Sequence, residues 1–169
     1  MAAREKTDRA TYTEWSRRGF IIPTPGTRVV RKAWVAAKLR ELAADFEVDC
    51  VGYDRWGIGE LTSQCDADGV TLPRLEPMGQ GFRDMGPAVE AFETAVLDGK
   101  LRHAGNPLLR WCLSNVALET DPTGARKIHK ARSRGRVDPI LAAIMAVGYA
   151  ARPAAPASFE FTGVMLVAG

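Results

Sequence analysis

Cysteine, histidine and long apolar runs are all scarce in this sequence, and each scarcity closes a route to function. Cys50, Cys65 and Cys112 are odd in number and far apart, with no C-x-x-C pair, which suits reduced thiols in a cytosol and not a disulfide frame. His103 and His129 have no helical ligand partner at i+4 and no cysteine at ligand spacing, so neither zinc nor a nucleophilic dyad has support. No apolar run approaches the ~20 residues of a membrane span. The opening MAAREKTDR is too polar for a signal peptide, so the expectation is a soluble intracellular protein with no membrane partner. A large charge excess is missing too: a formal +3 does not by itself argue for nucleic acid. GFRDMGP, residues 81–87, copies the glycine spacing of a phosphate loop but has Pro87 where that loop needs lysine, which excludes a Walker A site.

What is present fits one α/β domain. The 169 residues are 46% hydrophobic and 25% charged, enough for a sizeable core, and no internal repeat is visible. Residues 1–11 form a polar N-terminal segment expected to fray. TYTEWSRRGF then reads as a short helix stopped by Gly19, and FIIPTPGT as a brief extended piece broken by Pro23, Pro25 and Gly26. Val35, Leu39, Leu42 and Phe46 step by four, three and four, which predicts a helix over 31–46 with those residues on its buried face.

VDCVGYD, residues 48–54, is rich in strand formers; residues 58–67 read as a helix, and GVTLPRLE as a second strand weakened by Pro73. Met85, Val89, Phe92 and Val96 repeat the four-three-four step on a helix that Gly99 ends. Helices alternating with strands predict parallel pairing. NPLLRWCLSN predicts a short helix opened near Asn106 with Pro107 in its first turn, followed by VALETD as a strand. VDPILAAIMAVGYA is apolar on nearly every side, hence a buried helix. Residues 152–169 read as a linker and tail, in which FEFTGVMLVAG is either an edge strand or simply a tail.

Two acids stand where an α/β chain presents its chemistry. Asp54 ends the VDCVGYD strand, and open α/β sheets place ligands at the carboxyl ends of strands; an aspartate before a glycine-bearing turn is also ordinary turn chemistry. Asp138, followed at once by Pro139, reads as an N-cap with proline at the first helical position, yet a helix start also aims a carboxylate at one fixed point. Just before it, GARKIHKARSRGR holds Arg126, Lys127, Lys130, Arg132, Arg134 and Arg136 without an acid. That run is either a solvated loop or a phosphate contact, and its place before Asp138 favours phosphate. Two carboxylates converging beside it would hold divalent metal against a phosphodiester. A rival pattern exists: Gly57, Gly59 and Thr62 follow the strand as a GxGxxG loop would, with Glu76 about 20 residues on as a ribose acid, although the third glycine is missing.

The ordered set EWSRRGFIIPTPGT, YDRWG, MGQGFRDMGPAVEAFETAVLDGKLRHAGNPLLRWCLSNV, a loop bearing Lys127 and Lys130, and RVDPILAAIMAVGYA resembles the nuclease domain of tailed-phage terminase large subunits. The resemblance runs from Tyr12 to Ala151, with residues 1–11 before it and 152–169 after it. It implies an α/β, ribonuclease-H-like nuclease fold whose acids bind a pair of Mg²⁺ or Mn²⁺ ions and cut double-stranded viral DNA during genome packaging, in the cytoplasm of a host bacterium. Asp54 falls on the acid at the end of the YD strand and Asp138 on the acid opening the last helix; Lys127, Lys130, Arg132 and Arg134 are then the expected contacts to DNA phosphates. Gln80, Gly81 and Phe82 match a QGF turn, and His103, Asn106, Trp111 and Asn115 match a stretch expected to support the fold.

The family also implies the small terminase subunit and the portal as partners. Its large subunit begins with an ATPase motor, and its nuclease domain with a strand carrying the first metal-binding aspartate. Neither is matched here, and Asp8, in a polar stretch, is a poor substitute. The expectation is a nuclease fold incomplete at its first strands, with a metal pair held weakly by two carboxylates, a second chain supplying the missing strands, and activity by this chain alone in question. Beside it stand a non-catalytic DNA-binding or packaging-assembly remnant and a nucleotide-binding α/β domain built on Gly57 and Gly59.

Overall fold

The four-three-four step that begins at Met85 becomes the longest helix of the molecule's core. The structure is a computed structural model that describes residues 2–24, 26, 29–55 and 58–153. Its elements are α1 (Ala2–Asp8), α2 (Tyr12–Arg17), α3 (Lys32–Asp45), β1 (Cys50–Tyr53), α4 (Ile58–Ala67), β2 (Arg74–Pro77), α5 (Phe82–Leu97), α6 (Pro107–Ser114), β3 (Leu118–Thr120), β4 (Arg126–Ile128) and α7 (Asp138–Ala150). On α5, Met85, Val89 and Phe92 are buried as their spacing requires, while Val96 reaches past the core and is 45% exposed. Gly99, at φ +67°, turns the chain just after the helix, where a left-handed residue costs glycine nothing.

Helix α7 lies against α5 in the opposite direction. Ile140, near its start, shares a cavity with Phe92 and Val96 near the end of α5, and Gly148, near its end, meets Ala88 near the start. A Cβ at Gly148 would sit 2.5 Å from the Ala88 Cβ and 3.0 Å from its Cα, so the two backbones approach this closely only with glycine there. Around this pair runs one continuous buried cluster that includes Met78, Met85, Cys112, Ile128 and Leu141. Helix α6 joins it as its sequence predicts: the Asn106 side chain accepts from the Leu109 N–H at 3.2 Å, with Pro107 in the first turn.

The N-terminal segment differs from expectation. Residues 2–8, expected to fray, form α1, because Asp8 accepts the Tyr12 hydroxyl at 2.9 Å and lies 3.6 Å from Arg136 Nε. Tyr12 and Trp15 in turn stack on Trp111 of α6, with ring centroids 5.9 and 5.6 Å away.

Strands β1 and β2 pair in parallel, from Cys50 opposite Arg74 to Tyr53 opposite Pro77. Pro73 falls just before β2 and so removes no donor from it. Helix α3 packs on α4, and here a second expectation fails. The buried residues of this layer are Ala36, Cys65 and Val70; Leu42 and Phe46, expected on the buried face, are 48% and 65% exposed. Val35 and Leu39, on the same stripe, are half-buried beside the fully buried Ala36, so the stripe is covered toward the start of α3 and bare toward Phe46. FIIPTPGT contains no strand among its described residues, and FEFTGVMLVAG lies outside the described residues.

The last sheet is the antiparallel hairpin β3–β4, with Leu118 opposite Ile128 and Glu119 opposite Lys127. Asp121 closes its turn by accepting from the backbone N–H groups of Thr123 and Ala125, both at 2.9 Å. Strand β4 therefore lies inside the basic run that reads as a loop, with Ile128 anchored in the core.

Candidate metal and phosphate site

The direction of α7 decides where the two predicted acids lie. The Tyr149 hydroxyl donates to the Glu76 carbonyl at 2.8 Å, and the Tyr149 ring lies against Gly52, so the end of α7 covers the middle of β1 and β2. Four residues earlier, the Met145 sulfur lies 3.8 Å from Gln80 Nε2, and Gln80 stands beyond the C-terminal end of β2. Passing back along α7 thus follows the strands toward their C-terminal ends, and Asp138 lies about 10 Å further along at ~1.5 Å per residue. Asp54 directly follows the last residue of β1. The C-terminal end of β1 and the N-terminal end of α7 therefore face the same end of this layer.

Neither carboxylate is consumed by local structure. The cap of α7 is Val137, with Asp138 already the first helical residue and no side-chain capping bond, which corrects the capping role read from Asp138-Pro139. Its side chain is 73% exposed, with Lys130 Nζ 3.7 Å from Oδ1. It also bears on the buried Cys112 thiol, whose pKa is pushed up to about 11, first by burial and then by the Asp138 charge. Asp54 is half-buried, and among the described residues its carboxylate has no hydrogen bond or ion pair. Among the described residues no three or more His, Cys, Asp or Glu side chains gather closely enough to hold an ion.

The hairpin sorts the cations. Arg126 forms an ion pair with Glu93 at 2.6 Å, holding that carboxyl below its ordinary range through the hydrogen bond first and charge second, and Arg136 faces Asp8. Lys127 lies 3.3 Å from Glu119, its hairpin partner, and 4.5 Å over the ring of Phe82, so the QGF turn and the basic run meet through a cation–π contact. Lys130 faces Asp138. Arg132 and Arg134 are exposed and have no ion pair among the described residues; their backbone N–H groups, donating to the carbonyls of His129 and Asn115, fix the loop that carries them.

Glu119 is a participant that residue-type reasoning missed, and the Phe82 ring, named only through the QGF turn, takes part by its contact with Lys127. The turn Asp121-Pro122-Thr123-Gly124 between two short segments is a hairpin signal and would have set Glu119 against Lys127. Three of the four expected fold-support residues do support it: Asn106 caps α6, Trp111 carries the aromatic stack, and Asn115 Nδ2 donates to the Arg136 carbonyl at 3.3 Å; His103 is exposed, and its backbone carbonyl accepts from the Asn106 N–H at 3.0 Å. The dinucleotide pattern fares differently. The Glu76 carboxylate accepts from Arg74 at 2.5 Å, the Thr62 hydroxyl donates to the Gly59 carbonyl at 3.0 Å, and Gly57 lies outside the described residues.

The class the fold defines is an α/β domain with a strand-end acid, a helix-start acid and a cationic hairpin. Within that class, the family model for the terminase large subunit, endonuclease domain, matches residues 2–153, and the chain belongs to that family. It is 42% identical over 150 residues to the terminase large subunit of Enterobacteria phage HK97, covering 89% of this chain and 29% of that protein. Protein YmfN of Escherichia coli K12 is 26% identical over 146 residues, covering 82% and 30%. The crystal structure of the HK97 bacteriophage large terminase matches with a TM-score of 0.81 and 40% identity, over 88% of this chain and 30% of that one. The chain thus spans less than a third of the length of these relatives. No described helix is long and apolar enough to cross a membrane.

Proposed function

We propose that this chain is a metal-dependent endonuclease domain of ribonuclease-H-like architecture, acting on double-stranded viral DNA during genome packaging in the host cytoplasm. The observation that supports it is the direction of α7, from which Asp138 and Asp54 are read as facing one end of the parallel strands, Asp54 without a hydrogen bond or ion pair among the described residues and Asp138 paired with Lys130. Oxygen donors of this kind suit Mg²⁺ or Mn²⁺, and Asp54 and Asp138 are the residues to hold it. The ion, when bound, supplies charge stabilisation and an activated water for in-line attack. The chain's own part is to position: Lys127, Arg132 and Arg134 would engage the DNA phosphates, and Lys130, 3.7 Å from Asp138, would stand between that carboxylate and the phosphates. The partners this implies are double-stranded DNA, the small terminase subunit and the portal.

Conversion of supercoiled DNA in Mn²⁺ or Mg²⁺ tests the reading. Cleavage should disappear with chelator and in Asp54→Asn and Asp138→Asn; a cut rate indifferent to both substitutions sinks it. The sparse ligand set favours a second reading, a non-catalytic DNA-binding and packaging-assembly module, since no three-acid group gathers among the described residues. Such a module retards DNA with a steep salt dependence and cuts nothing at any metal concentration. A nucleotide-binding domain would instead bind a dinucleotide and ignore chelator, but the Glu76–Arg74 pair argues against it.

A further inference from the structure

Charge and exposed apolar surface are sorted into two patches of opposite kind. From Leu42 to Asp54 the sequence has no lysine or arginine, and from Gly99 to Leu118 it has no aspartate or glutamate. The first stretch ends α3 with Leu42 and Phe46 largely exposed one turn apart, and with the exposed Asp45 and Glu47 on either side of Phe46 in the chain. Neither acid has an ion pair among the described residues. Asp45 also stands in the last turn of α3, the negative end of the helix dipole, where no basic residue offsets it.

The second stretch frames a hollow of about 190 Å³ between the end of α5 and α6. The buried Phe92 and Ile140 and the exposed Val96 and Leu113 line it, and its only polar side chains are Arg110 and His103. Both are exposed, and neither side chain has a partner among the described residues. The acids on α5 before it in the chain and at its end, Glu93 and Asp98, are already paired with Arg126 and Lys100. The hollow is smaller than the ~300–1,000 Å³ pockets that take small ligands, and suits one anchoring side chain.

We infer that the chain binds a second copy of itself head to tail, with Phe46 of one copy seated in the α5–α6 hollow of the next and Asp45 and Glu47 facing Arg110 and His103. An aromatic ring in a desolvated pocket supplies the affinity of such a contact, and the opposed charges supply encounter rate and choice of partner. Because ring and hollow are different patches, the contact is heterologous, and each pair still offers one of each. A single anchor makes a small, transient interface, so association rises with concentration and falls with salt. It requires nothing of Asp54 or Asp138.

Sedimentation velocity of the full chain over a wide range of concentration, at low and high salt, reads the contact. The average mass should rise with concentration, less steeply in high salt. Phe46→Ala and Arg110→Glu, both at exposed positions, should each weaken association by about tenfold or more. Mixed together, the two variants should pair one to one and stop there, since one keeps the hollow and the other keeps the ring; that pairing also shows that both are folded. A mass that stays monomeric at every concentration, as when another segment of the same chain fills the hollow, overturns the inference. So does association that survives both substitutions, or a mixture in which the two variants fail to pair.

Discussion

The half of the molecule built on α5 and α7 and the half built on α3, α4, β1 and β2 are packed very differently. The first buries a continuous cluster from Met78 to Met145, whereas the second buries Ala36, Cys65 and Val70 and leaves Leu42 and Phe46 largely in solvent. Local stability follows buried apolar contact, so the first half should set global unfolding and the second should open below it. The candidate site straddles this gradient: Asp138 stands on the firm half and Asp54 on the soft one. If the two acids share an ion, that ion would stabilise the half that opens.

The strongest way to break the comparison is to cut both cores. Ile140, fully buried against α5, should cost about 2–5 kcal/mol on truncation to alanine and move the whole denaturation curve. Val70→Ala should leave the main transition nearly in place and raise exchange only in residues 50–76. Equal losses in global stability would show that the two halves are one cooperative unit. Next in size is Gly148→Ala, whose new Cβ meets Ala88 backbone at 3.0 Å; overpacking of this kind costs about 1–3 kcal/mol. A neutral result there would mean that α5 and α7 separate more readily than their contact implies.

The firm half was also the more legible. Met85, Val89 and Phe92 announce α5 by spacing alone, and Asn106-Pro107 announces the start of α6, because burial and capping there are decided by neighbours in sequence. The same spacing in Val35, Leu39, Leu42 and Phe46 gave the helix correctly but not its surroundings, since periodicity says which residues share a face and not what covers it. At the site, Asp54 at a strand end was readable from order. The fate of each cation was not: Arg126 and Arg136 pair with Glu93 and Asp8, residues distant in the chain, and the hairpin that aligns Lys127 with Glu119 was hidden by the charge of β4. Asp138, read both as a cap and as a metal ligand, is not the cap: proline after aspartate has that signature, but Val137 caps α7 and Asp138 is its first helical residue.

Thiol chemistry sharpens the contrast between halves without altering either core. Cys65 and Cys112 are both buried, so a thiol reagent should label Cys65 through opening of the soft half and Cys112 only through global unfolding. The Cys112 pKa of about 11, against an ordinary value near 9, adds a pH test. Between those values the unfolded chain has lost the proton that the native state keeps, so stability falls as pH rises through that window. Cys112→Ala should flatten the decline there, and Asp138→Asn should lessen it, since that charge is the second cause of the shift. A decline identical in all three proteins would remove Cys112 from the account.

The smallest stability effect is expected where the functional effect is specific. Arg132 is exposed and touches no acid among the described residues, so Arg132→Ala should change the unfolding free energy by less than about 0.5 kcal/mol. If it contacts a phosphate, the same substitution should lower the slope of log affinity against log salt for duplex DNA by about 0.9, equally for every sequence. Lys130→Ala is the informative partner, because it frees the Asp138 carboxylate as well as removing a cation. Metal affinity should rise in Lys130→Ala while DNA affinity falls, whereas Arg132→Ala should move DNA affinity alone. A salt slope unmoved by either change would place the DNA elsewhere on the molecule and leave the helix-start acid without a substrate beside it.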